Sequence, residues 1–283
     1  MNRKDFIKGL CILTVLPLLG NGMSKGIQKK ASVRLLRHAT LVITIGKIRF
    51  LVDPMLGKKD SMEPVQNAGN DIKIPMSELP VSSNELSHIL KEVDAVLITH
   101  THRDHWDKEA QLLIDKHKPI FCQPSDEAKI KAQGFVNVHS VKDLVLWNGI
   151  TIYRCGGRHG SGEIEKKMGD VSGFILSKKN QNIYIAGDTI WCNEVKDALV
   201  KFKPNTTILN CGAAQFVTGG PITMNGNDVI RVCREAPTTQ IIAVHMETIN
   251  HCRENRSELR KVLSSDGLLS RVLIPSDGEE IKL

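Results

Sequence analysis

The chain has 283 residues, 41% hydrophobic and 24% charged, with a formal net charge of +7 at neutral pH. That balance supports a sizeable core and excludes a disordered or low-complexity chain. The positive charge favours a small, anionic substrate, while the lack of a dense Arg/Lys stripe interleaved with aromatics excludes nucleic acid as the expected partner.

Residues 1–22 read as an export signal. Arg3, Lys4 and Lys8 precede an apolar run from Gly9 to Leu19 that is too short to span a bilayer as a helix, and Gly20-Asn21-Gly22 offers small residues for cleavage. The pattern is twin-arginine-like, with Lys4 in place of the second arginine, and the general secretory route is the other option. It predicts an exported, periplasmic protein that meets a membrane only through this segment if it is uncleaved, with an amphipathic helix of a cytoplasmic protein as the alternative. The seven cysteines contain no C-x-x-C pair and give no disulfide framework.

Residues 31–283 then read as one continuous domain. Ser32–Leu36, Leu41–Ile45 and Ile48–Val52 are predicted strands, the last two joined by the Gly46-Lys47 turn. Met55–Glu85 is rich in Pro, Gly, Asn and Ser, without periodicity, and is expected to be a functional loop lying over the site. Val96–Thr99 is a buried strand, followed by a helix near Lys108–Lys116 and a strand at Ile120–Cys122. Ser125 is the expected N-cap of a helix running to Gln133. Further strands fall at Val136–Val138, Val145-Leu146, Ile150–Arg154, Gly173–Leu176 and Ile183–Ala186. A helix near Asn193–Phe202 leads to the strand Thr207–Asn210, and a helix near Asn227–Glu235 leads to the strand Ile241–Val244. Asn255 and Glu258 form a predicted capping box for a helix to Ser264, before short strands at Leu273-Ile274 and Glu280–Leu283. Strands interspersed with helices predict sheets covered by helices.

The chemistry concentrates in Thr99–Asp107, where His100, His102 and His105 surround Asp104 directly after an apolar strand. Imidazole and carboxylate donors suit zinc, manganese or iron, and few protein ligands per ion leave room for a reactive water. Four other polar side chains sit where a strand meets a loop: Asp53, His159, Asp188 and His245. Glycines around His159 and Asp188 permit tight turns there.

His-x-His-x-Asp-His, a glycine-flanked His159, Gly187-Asp188-Thr189 after a strand and the strand-terminal His245 together resemble the metallo-β-lactamase superfamily from about Arg34 to the C-terminus. Arg37-His38-Ala39-Thr40 and Leu51-Val52-Asp53-Pro54 are similar to the branch of L-ascorbate-6-phosphate lactonase and N-acyl-phosphatidylethanolamine phospholipase D. The resemblance implies an α/β (α+β) four-layer αββα sandwich with a dinuclear site at one sheet edge. It implies His100, His102 and His159 on one divalent metal ion and Asp104, His105 and His245 on a second, with Asp188 bridging. The expected cofactor is two Zn2+, with Mn2+ or Fe2+ as alternatives. A hydroxide held between the ions would be the nucleophile, and Asp104 is expected to orient it and take its proton. Asp188 points away from β-lactam opening, since antibiotic-opening members typically lack the bridging carboxylate.

The remaining assignments are local. His251 is the expected second catalytic residue, meeting a substrate oxygen or donating a proton to the leaving group. His38 and Asp53 are expected to orient ligands or bond each other, Trp106 to pack beside the site, and Arg158 to hold a phosphate or sit in solvent. The expected function is a metal-dependent hydrolase of a small ester, lactone or phosphodiester. The rival readings are a nucleotide or phospholipid phosphodiesterase, an iron oxidoreductase or sulfur dioxygenase on the same scaffold, and a non-catalytic metal-binding module.

Overall fold

A computed structural model describes residues 31–283. The export segment at 1–22 lies outside the described residues. Among the described residues no helix is long and apolar enough to cross a membrane, and the six cysteines there are free thiols.

In chain order the first half contains β1 (Ser32–Arg37), β2 (Thr40–Ile45), β3 (Ile48–Val52), α1 (Ser83–Glu92), β4 (Ala95–Ile98), α2 (Lys108–Leu113), β5 (Ile120–Cys122), α3 (Glu127–Ala132) and β6 (Val138–Ser140). The second half contains β7 (Leu144–Trp147), β8 (Ile150–Gly156), α4 (Glu163–Met168), β9 (Ser172–Lys178), β10 (Gln181–Ile185), α5 (Asn193–Phe202) and β11 (Thr206–Asn210). It closes with α6 (Gly226–Glu235), β12 (Gln240–Val244), α7 (Arg256–Ser265), β13 (Val272–Leu273) and β14 (Glu280–Lys282). Two seven-stranded sheets result, ordered β14-β1-β2-β3-β4-β5-β6 and β13-β12-β11-β10-β9-β8-β7.

Side-chain alternation sorts each strand between two cores. Leu35, Phe50, Val52, Leu97 and Phe121 meet Ile152, Phe174, Ile185, Ile208 and Val244 between the sheets. The intervening Leu36, Leu51, Val96 and Ile98 pack under α1, α2 and α3. On the other side Ile175, Tyr184, Leu209 and Ala243 pack under α5, α6 and α7. Strands buried on both faces read as continuous apolar runs, which is why Val96-Leu97-Ile98 shows no polar position. The layers are αββα: this is the metallo-β-lactamase sandwich.

The central strands are parallel, β3 to β6 in one sheet and β10 to β13 in the other. Their carboxyl ends therefore share one edge of the sandwich, where loops carry the polar residues. The Gly46-Lys47 turn joins β2 and β3 as expected, and the Asn255/Glu258 capping box is present.

Several local expectations are corrected. Ser125 caps nothing: it lies exposed in a 3₁₀ turn at Pro124–Asp126, and α3 starts without a side-chain cap because the Asp126 carboxylate is bonded elsewhere. The strand expected at Val136–Val138 lies at Val138–Ser140, with Val136 66% exposed. Helix α1 was read partly as loop. Its start is marked by Ser82, whose Oγ accepts from Glu85 N–H at 3.2 Å, and it buries Leu86 and Ile89 at helical spacing. The short α4 buries no residue and has no apolar stripe to announce it.

The loop between Asp53 and Ser82 is held down by one buried cation. Arg37, fully buried on β1, donates to the carbonyls of Ser77, Met55 and Gly57 at 2.8, 2.8 and 2.9 Å. Burial pushes its pKa down to about 10, so the guanidinium stays charged at neutral pH. We expect Arg37→Ala to lower unfolding free energy by about 3 kcal/mol, because three carbonyls lose a charged donor in a dry site. Urea unfolding that shows less than about 1 kcal/mol would contradict this role.

Candidate metal centre

Each site residue leaves the end of a strand or the turn just beyond it. His100, His102, Asp104 and His105 follow β4, His159 follows β8, Asp188 follows β10, and His245 follows β12. All seven converge. His100 Nε2 and His159 Nε2 lie 2.9 and 3.3 Å from His102 Nδ1. Tetrahedral zinc with bonds of about 2.0–2.1 Å puts its nitrogens about 3.3 Å apart, so this triad has the spacing of one ion's ligands. A second group gathers on Asp104, whose Oδ2 is 3.4 Å from His105 Nε2 and 3.7 Å from His245 Nε2. Asp188 stands between the groups. Its Oδ2 is 3.2 Å from His105 Nε2, 3.6 Å from His159 Nε2 and 4.0 Å from His100 Nε2, and its Oδ1 is 3.3 Å from His245 Nε2.

The outer hydrogen bonds decide where the ring protons sit. Thr99 Oγ1 donates to Asp53 Oδ2 at 2.6 Å and so accepts from His100 Nδ1–H at 3.0 Å. His159 Nδ1–H donates to the Ile222 carbonyl at 2.8 Å, and His105 Nδ1–H donates to Asp53 Oδ2 at 2.9 Å. In the neutral rings each bond places the proton on Nδ1 and leaves Nε2, aimed inward, open to a metal or a second proton. Bare nitrogens then face one another and face carboxylate oxygens in a buried pocket. His245 Nε2 is buried 3.3 Å from Asp188 Oδ1 without the geometry of a hydrogen bond. Such an arrangement repels itself unless a cation lies among the donors, so the residues fit a metal on their own geometry.

Electrostatics agree. Burial and the neighbouring rings hold His100 well below its ordinary value, and burial takes His159 to about 4. Burial alone would raise Asp188 and Asp104, but the surrounding histidines hold both carboxyls well below the usual range. The same carboxylates outweigh burial at His105 and His245 and lift both imidazoles well above their ordinary range. Protons and metal cations therefore compete for one negatively charged centre.

His38 and Asp53 hydrogen-bond the proposed ligands Asp104 and His105 and do not bond each other. His38 Nε2–H donates to Asp104 Oδ2 at 3.2 Å, and its carbonyl accepts from His245 N–H at 2.9 Å. Asp53 also accepts from Thr99 N–H at 2.7 Å, tying β3 to β4 beneath the centre. Three of these residues, His38, Asp53 and His245, have left-handed backbone with φ of 59°, 43° and 69°. Thr40 Oγ1 fixes the turn after β3, donating to Asp53 O and accepting from Met55 N–H, both at 2.9 Å. We expect Asp53→Asn to weaken metal binding about 10- to 100-fold, since an amide in place of a carboxylate gives His105 a poorer acceptor. Competition against a metal-sensitive dye is the measurement, and unchanged affinity would contradict the assignment.

Trp106 packs, as expected: it is buried against Phe135 and its Nε1–H donates to Gln133 Oε1 at 2.7 Å. Arg158 turns to Glu194 at 3.1 Å and holds no position among the seven. His251 is buried beside the centre, feels the Asp104 and Asp188 carboxylates, and is pushed down to about 4 by burial. Two contributors escaped sequence reasoning. Asn210, at the end of β11, donates Nδ2–H to Asp188 Oδ1 at 2.7 Å, and its strand-end placement was the available signal. Thr99 acts through its hydroxyl, for which a threonine in a strand gives no sign.

A fold of two sheets with this edge-borne cluster defines a superfamily. The chain belongs to the β-lactamase superfamily, whose domain model matches residues 49–246. It is a metal-dependent hydrolase of that fold. It is 35% identical over 248 residues to the UPF0173 protein YddR of Bacillus subtilis, covering 86% of this chain and 96% of that one. It is 38% identical to an isothiocyanate hydrolase from Delia radicum gut bacteria, with a TM-score of 0.84 over 89% of this chain and 99% of that one. A possible metal-dependent hydrolase from Veillonella parvula is 36% identical, with a TM-score of 0.86 over 90% of this chain and 100% of its own.

Proposed function

We propose that this enzyme adds water to a small, uncharged, carbon-centred electrophile at a two-cation centre, with an isothiocyanate as its substrate. The observation that carries the two-cation reading is Asp188, whose Oδ2 lies 3.6 Å from His159 Nε2 in one ligand group and 3.2 Å from His105 Nε2 in the other, with its Oδ1 3.3 Å from His245 Nε2. The substrate class draws support from the 38% identity to the isothiocyanate hydrolase. It also draws support from the arginines in the loops around the centre. Arg103 donates to Pro64 O, Arg253 to Ala68 O, and Arg158 pairs with Glu194, so these three are committed within the protein and leave phosphodiester recognition without its usual clamp. Esters and lactones, the other carbon electrophiles expected from the sequence, share the same chemistry.

Bound divalent cations, Zn2+ by preference for this imidazole and carboxylate set with Mn2+ or Fe2+ as alternatives, supply a Lewis acid and lower the pKa of a coordinated water. The chain does the rest. Asp104, kept ionised by its histidine neighbours, accepts a proton from the attacking water, and His38 holds that carboxylate in place. His251 has a buried Nδ1 with no partner. A proton there would be an unsatisfied donor, so the neutral ring carries it on Nε2 and serves as a donor to the departing group. In balance, the water oxygen bonds to the central carbon of R–N=C=S and both water protons end on nitrogen. The C–N bond breaks to release R–NH2 and O=C=S.

The test is turnover of an isothiocyanate, an ester, a lactone and bis-p-nitrophenyl phosphate by the zinc-loaded protein, with metal content measured alongside. Amine release from the isothiocyanate at the highest kcat/KM supports the reading. Preference for the phosphodiester, or one metal ion per chain at full activity, overturns it.

A further inference from the structure

We infer that Phe216 determines specificity by forming an apolar wall for the organic group of the substrate, which makes substrates with flat apolar tails the preferred class. The inference rests on the proposed function and deepens it. Phe216 lies in the tongue between β11 and α6, beyond the Asp188 partner Asn210. Its ring is half-buried and stacks on His251, with centroids 5.6 Å apart and planes inclined by 21°. His251 in turn lies close enough to Asp104 and Asp188 to feel both carboxylates. Phe216 therefore covers one face of the His251 ring.

The tongue is fastened on both flanks, so the ring cannot wander. Gln215 N–H donates to His251 O at 2.9 Å, Val217 N–H donates to Asn67 O at 2.9 Å, and Ile222 N–H donates to Ala214 O at 2.8 Å. Beneath it, Ile164 of α4 presses on Gly219, where any side chain would meet Ile164 Cδ1 at 1.9 Å. Beside Phe216, Val217 leaves 60% of its surface exposed. A fixed aromatic ring and an exposed valine next to a proton-donating imidazole form a surface that a charged tail would not favour. An aryl or alkyl tail gains contact there while its reactive carbon reaches the centre.

The experiment uses the zinc-loaded full chain with two probe pairs: benzyl against methyl isothiocyanate for turnover, and benzohydroxamate against acetohydroxamate for binding by calorimetry. In Phe216→Ala the preference for the benzyl member of each pair falls about tenfold, through KM and Kd rather than kcat, whereas Phe216→Tyr keeps it. Equal preference ratios in the wild type and Phe216→Ala overturn the inference, as does an equal loss in the Ala and Tyr variants. If the wild type hydrolyses no isothiocyanate yet binds benzohydroxamate more tightly, and Phe216→Ala loses that margin, the apolar wall stands and the proposed reaction falls.

Discussion

Replacing Asp188 by asparagine lowers kcat/KM at least about a thousandfold and reduces bound metal, while the fold survives. The amide keeps the size and can still accept from Asn210, so the change is one of charge. Asp188 approaches nitrogens of both ligand groups, at 3.6 Å for His159 and 3.2 Å for His105. Removing a unit charge about 4 Å from a divalent ion forfeits on the order of 4 kcal/mol per unit of cation charge at the effective dielectric of a protein site, which is about a thousandfold in rate. Metal content and turnover are measured on the same preparation. A variant that keeps two ions per chain and near-normal turnover would remove Asp188 from the shared position.

Stripping the metals with a chelator abolishes turnover and lowers the melting temperature by on the order of 10 °C, and both return on adding Zn2+ or Mn2+. A ligand present at a thousand times its Kd stabilises the folded state by about 4 kcal/mol, and each kcal/mol moves the midpoint of a protein near this size by about 2–4 °C. The shift arises because the metal-free donors crowd one another: His245 Nε2 lacks a well-formed hydrogen bond, and His102 Nδ1 has the His100 and His159 nitrogens 2.9 and 3.3 Å away. Differential scanning fluorimetry with and without chelator reads the shift. No shift would mean that the cluster is stable by itself and that its geometry owes nothing to metal.

The placement of all seven proposed ligands was legible because each is a metal-type side chain at a strand end, and parallel strands bring such ends together. Strands interspersed with helices made only helix-covered sheets legible, and the sandwich came from the resemblance; Leu35 and Leu36 face different cores in it. What escaped was whatever acts through generic chemistry or distant contact. Thr99 and Asn210 are ordinary polar residues whose roles depend on which carboxylate the fold sets beside them. Arg37 was legible only as part of the family segment, and its three carbonyl partners come from the loop to Ser82. Helix α4 has no buried side chain, so no periodicity betrays it. The Ser125 error has a similar cause: Asp126 is drawn to Thr101 and Gln123, at 2.6 and 2.8 Å, and the helix forgoes a cap. Phe216 belongs to this group too, since only the folded tongue sets it on His251.

The left-handed backbone at His38, Asp53 and His245 has an evolutionary consequence. A side chain in that region costs on the order of 1 kcal/mol per residue relative to glycine, somewhat less for aspartate. Glycine would relieve the cost at each position but delete an imidazole or carboxylate that orders the centre. Selection for thermal robustness alone would therefore drive these three positions toward glycine. In this chain the cost is carried by the double-sided cores, which hold a strained edge in place.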